Sequence, residues 1–165
     1  MPEFVVRGAR SAPVRRTRRG DFELRLDPQE RDVLRALPDQ LRELIRHEDP
    51  TSDPAMARLY PAAYPDDPIQ NLEYERLAVD ELTSQRLSSI DAMEGSIDAD
   101  RLTEELLLSW LGVLNDLRLV LGTRLEITEE TTEDDFAPDD PRASVFALYG
   151  YLTWLVDAIV RALGG

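Results

Sequence analysis

The stretch Trp110–Leu125, WLGVLNDLRLVLGTRL, constrains the fold most, because a helix of this pattern is apolar around much of its circumference. At helical spacing Trp110, Leu111, Val113, Leu114, Leu117, Val120, Leu121 and Leu125 sweep out one apolar arc, and Arg118 and Arg124 project inside it. Two cations are therefore expected to point towards the core. A buried guanidinium needs carboxylates or an anion, since breaking such a pair costs several kcal/mol, about 3–5.

A helix this apolar needs an apolar partner. The run Ala143–Val160 supplies one, opened by Pro141 in the first helical turn and extending from Arg142 to about Leu163. The same run is about as long as a short membrane span, but Asp157 interrupts it, so a core helix is the favoured reading and no membrane partner is expected. A third long helix runs from about Asn71 to Met93, with Leu72, Val79, Leu82, Ile90 and Met93 on one face and Gly95 as its stop. The helix containing Trp110 is expected to begin near Asp98.

Upstream, Asp27-Pro28-Gln29-Glu30 reads as an N-cap, a proline at the first helical position and a capping-box glutamate. Leu34, Leu37, Leu41 and Leu44 carry that helix to about Glu48, with Pro38 kinking or splitting it. Asp53-Pro54 caps one brief helical turn that ends at Tyr60-Pro61. Before all of these, Phe4–Arg7 and the alternating Phe22–Leu26 read as short strands of a hairpin or three-stranded ribbon. The expected fold is mainly α: about four longer helices in a bundle, with a small N-terminal β-element over 1–26 and helices over 27–165, in a single domain.

Charge is segregated along the chain. Residues 1–19 hold six arginines against Glu3, whereas the remainder holds 13 arginines against 32 acids, within a net charge of −14. An acidic body repels nucleic acid, so phosphate contact falls to Arg15, Arg16, Arg18 and Arg19; a solvated hairpin tip is the favoured alternative. The segment 128–141 has seven acids, no base and no turn glycine at calcium-loop spacing, and reads as a mobile, solvated loop. With no cysteine, one histidine (His47) and no hydrolase elbow, phosphate loop or metal-binding signature, neither a metal, a cofactor nor an enzymatic reaction is expected. No secretory leader is evident, and the expected location is cytoplasmic.

Two constellations remain. Arg86 and Glu75 lie in the apolar arc of their helix, and a network with Glu75 or Asp80 reaching Arg118 or Arg124 is favoured over an arginine-lined anion pocket. Asn115, with Gly112, Leu119 and Gly122, marks a close helix contact. Arg58, Tyr60, Tyr64, Asp66 and Asp67 form a proline-stiffened strap that is also a candidate recognition loop for a partner.

RLYPAAYPDDP at 58–68, EYERLAVDEL at 73–82 and LNDLRLVLGTRLEI at 114–127 resemble an actinobacterial family of formerly unknown function. That family is often encoded beside the protease adaptor ClpS and is named in places after the oxidative-stress regulator AosR. The resemblance implies a cytosolic, non-enzymatic role in transcriptional stress control through another protein, either a sigma factor or a component of the Clp system. A homodimer is a further option. A thiol redox switch of the AosR type has no cysteine to act through here.

Overall fold

A computed structural model describes residues 12–47, 53–59 and 68–165, without the side chains of 47, 68–72, 74 and 75. The predicted strand Phe4–Arg7 lies outside these residues. A hairpin forms from β1 (Val14–Arg16) and β2 (Phe22–Leu24), pairing Val14 with Leu24 and Arg16 with Phe22. Gly20, at φ 91°, supplies the left-handed residue of its turn, where its N–H donates to the Thr17 carbonyl. Alternation buries Phe22 and Leu24 and leaves Glu23 on the outer side.

The third strand comes from far along the chain. Arg101–Leu102, β3, pairs antiparallel with β2, so the sheet order is β1-β2-β3. This corrects the expected helix start near Asp98, since a tight turn and the strand occupy 96–102. Thr103 then caps the helix, accepting from the Leu106 N–H at 3.2 Å.

The helices follow from the signals described above. Asp27 caps α1 (Pro28–Arg35), and α2 (Leu37–His47) begins afresh beside Pro38. Asp53 caps the single turn α3 (Pro54–Ala57). The long helices are α4 (Pro68–Gly95), α5 (Glu104–Arg124) and α6 (Pro141–Gly164), with Asp140 capping α6.

Helix α5 packs between α4 and α6, while α2, α3 and β3 approach it from a second layer made of the sheet and the short helices. Trp110, Leu107, Leu114 and Leu117 of α5 share one core with Phe22, Leu34, Leu41, Ile90, Leu152 and Ile159. Helices α5 and α6 are long and apolar enough to cross a membrane, yet both also bury side chains in this core. Trp154 is partly buried against it, and its ring lies 5.8 Å from that of Tyr151.

The acidic connection between α5 and α6 is exposed, as expected, but it has internal structure. Glu133–Asp135 forms a 3-10 turn in which the Thr132 N–H donates to Asp135 at 2.8 Å. Phe136 packs on Phe146 of α6, ring centroids 5.0 Å apart, under the guanidinium of Arg142. These contacts pin a segment that carries little apolar surface of its own.

Candidate functional site

The polar groups on α5 are distributed otherwise than their sequence pattern predicts. Arg86 of α4 donates through Nε to Asp116 at 2.9 Å, and both side chains are largely buried, at 18% and 13% exposure. Burial pushes the Asp116 carboxyl above the usual carboxylate range, while Arg86 pulls it down. Arg118 is half-buried, and its Nη2 donates to the Asn115 amide oxygen one turn earlier at 2.8 Å. Its Nε is buried without a partner, and no carboxylate pairs with it among the described residues.

Arg124 corrects the expectation of burial. In the last turn of α5 it is 44% exposed and reaches outward to Asp53 at 3.0 Å. Asp53 also accepts the Ala55 N–H as the α3 cap, and that bond, followed by Arg124, holds its carboxyl below the usual range. Asp80 is exposed and joins no ion pair among the described residues. The Glu75 side chain lies outside the described residues. Among the described residues the cross-helix ion pair is Arg86 with Asp116, an acid the sequence pattern does not single out.

The hairpin cluster divides. Arg15 pairs with Glu23 at 3.0 Å, and Arg16 lies over the Phe22 ring while donating to the Leu163 carbonyl at 2.9 Å. Arg18 and Arg19 stay exposed at the turn. Arg58 is exposed just after α3; Tyr60, Tyr64, Asp66 and Asp67 lie outside the described residues, as does the His47 side chain.

A second group gives no signal in the sequence because its members sit on polar helix faces. Arg31 donates to the carbonyls of Ile97 and Ala99, both at 2.9 Å, and Arg35 grips Asp98 through two bonds at 3.0 and 2.7 Å. Arg42 meets Asp39, Asp91 and Glu94. The first two satisfy the turn that carries the chain into β3, and Arg42 ties α2 to α4. Their work is structural, and no group of acids and histidines fit to hold a metal occurs among the described residues.

Residues 11–163 match the family described as a domain of unknown function, DUF2017. The chain belongs to that family. The DUF2017 match spans the sheet, helices α1 to α5 and all but the final residue of α6, so the Arg86–Asp116 pair and the hairpin arginines fall within it. Neither the curated proteins nor the solved structures contain a match to the chain.

Proposed function

We propose that this protein is a non-enzymatic regulator of transcription or stress response that acts in the cytoplasm by contacting another protein. The observation that carries this reading is the acidic connection between α5 and α6, in which Glu129, Glu130, Glu133, Asp134, Asp135 and Asp139 are all exposed on a segment pinned through Phe136. A pinned row of carboxylates offers a basic partner complementary charge at a low ordering cost. The resemblance to the AosR-like family encoded beside ClpS favours a sigma factor, with a Clp component as the alternative.

Nucleic-acid binding through the hairpin is the second reading. The engagement of Arg15 by Glu23 and of Arg16 by the end of α6 weighs against it, because it leaves phosphate to Arg18 and Arg19 at the exposed turn. Crosslinking in native cells with identification of the captured partner tests both readings. The expected result is one protein partner that survives nuclease treatment and is lost from a Glu133→Gln, Asp134→Asn, Asp139→Asn variant. Recovery of nucleic acid alone would reverse the order of the two readings.

A further inference from the structure

Helix α3 is too short to stand by itself. A single turn fixes the backbone of Pro54–Ala57 for little bonding in return: the Ala57 N–H donates to the Asp53 carbonyl at 3.0 Å, and the Leu59 N–H to the Met56 carbonyl at 3.0 Å. The turn is held by what it touches. Ala55, Met56 and Leu59 are buried, whereas Pro54, Ala57 and Arg58 are exposed, so the segment lies on the core as a cover with one apolar side. Its main neighbour is α5, and it meets the last turn of that helix, where Asp53 reaches Arg124.

One carboxylate fastens it there. Asp53 divides its two oxygens: Oδ1 accepts the Ala55 N–H at 2.9 Å as the cap of α3, and Oδ2 accepts Arg124 Nη2 at 3.0 Å. The first bond is internal to the turn, and the second ties the turn to α5. Water reaches both partners of that ion pair, so it breaks without stranding a buried charge. The long helices are held differently. With 28, 21 and 24 residues, α4, α5 and α6 carry many turns of backbone bonds and share one buried core.

Local stability follows bonding and burial, and a segment with little of both opens ahead of the whole. We propose that α3 is a latch: residues 53–59 lift from α5 as a unit while the three long helices stay folded, and the Arg124–Asp53 bond is the catch that sets how often they do. Lifting uncovers the apolar seat of Met56 and Leu59 at the end of α5 and frees the Arg124 guanidinium. The surface presented at this end of the bundle therefore depends on the catch. This opening is a property of the chain alone and requires no partner.

Two methionines supply the measurement, since Met56 lies on α3 and Met93 on α4, both at 0% exposure. In the full chain under dilute hydrogen peroxide, an uncovered thioether sulfur takes one oxygen atom as the O–O bond breaks, and the remainder of the peroxide leaves as water. Met56 is expected to reach the sulfoxide roughly tenfold or more faster than Met93, read by mass spectrometry of proteolytic fragments after quenching. Arg124→Gln removes the catch, and Asp53→Asn does so while its Oδ1 still caps the turn. Each should raise the Met56 rate by roughly threefold and leave that of Met93 unchanged, and the double variant should be no faster than either alone. Three results would overturn the latch: equal oxidation of the two methionines in the parent, a Met56 rate that either variant leaves unmoved, or a Met93 rate that rises in step with that of Met56.

Discussion

Tyr151 on the last helix donates its hydroxyl to Glu30 on the first, at 2.8 Å and across 121 residues of sequence. Glu30 is 7% exposed, so its carboxylate has left water, and the phenol replaces part of what hydration supplied. Tyr151→Phe is expected to destabilise by about 1.5–3 kcal/mol, the range for a bond to a charged group. Urea unfolding measures it, and a loss no larger than that of an exposed substitution would refute the assignment.

Arg86 and Asp116 yield a prediction with a defined pH dependence. Arg86→Ala strands a largely buried carboxylate and should cost about 3–5 kcal/mol near neutrality, whereas Arg86→Met with Asp116→Leu should recover most of that loss. Burial raises the Asp116 pKa in the folded state. The fold therefore holds that proton more tightly than the unfolded chain does, and this contribution favours folding in acid and is lost as pH rises through the raised value. Without the opposing pull of Arg86 the effect grows. The stability of Arg86→Ala should fall more steeply than that of the parent as pH rises above the usual carboxylate range, and adding Asp116→Asn should remove the difference.

The same pair shows what is legible in the sequence. Local signals are: Asp27-Pro28, Asp53-Pro54 and Asp140-Pro141 each start a helix where an N-cap and a proline at the first position predict one. Strand β3 is not, because two residues show no alternation and gain their bonds from β2, nearly eighty residues earlier. That omission also hides the register of α4 against α5. Arg86 and Asp116 lie equally far in sequence from Arg101, within the connection between α4 and α5, so their coming level in an antiparallel pair depends on where that connection begins and ends. Arg124 differs from expectation for another reason: periodicity assigns a direction around the helix axis but says nothing of where the neighbouring layer ends, and at the last turn the arginine reaches the surface.

Helix α5 ends in a Schellman motif with an unfavourable residue at its pivot. The Ile127 N–H donates to Gly122 at 2.9 Å and the Glu126 N–H to Thr123 at 3.1 Å, which places Glu126 in the left-handed region at φ 54°. A side chain there is disfavoured relative to glycine. Glu126→Gly should stabilise the protein by on the order of 1 kcal/mol, read as a rise in Tm. A fall would mean that the Glu126 side chain contributes more than its backbone conformation costs.

The two tryptophans should respond unequally. Trp110 is fully buried and donates its indole N–H to Ser96 at 2.8 Å, while Ser96 donates in turn to the Ala92 carbonyl at 2.7 Å. Trp110→Ala is expected to cost about 3–5 kcal/mol. Trp154, only partly buried at the edge of the same core, should cost less than half as much when replaced by Ala, and Ser96→Ala about 1–3 kcal/mol through the unsatisfied indole. Equal losses for the two tryptophans would place Trp154 deeper in the core than its exposure indicates.

Salt dependence separates a protein partner from DNA. If the hairpin grips phosphate, neutralising Arg15, Arg16, Arg18 and Arg19 should reduce the log–log salt slope by roughly 0.9 for every phosphate those side chains had engaged. Two of those arginines already serve the fold, Arg15 through Glu23 and Arg16 through Leu163, so their replacement should lower stability as well as charge. Arg18→Gln with Arg19→Gln leaves those bonds in place and is the cleaner probe. The expected outcome is no tight complex with duplex DNA near physiological salt for either the parent or this variant, because residues 20–165 hold 32 acids against 13 arginines and oppose the approach of a polyanion. Sub-micromolar, sequence-selective binding that the double variant abolishes would make the hairpin a nucleic-acid interface and displace the protein-partner reading.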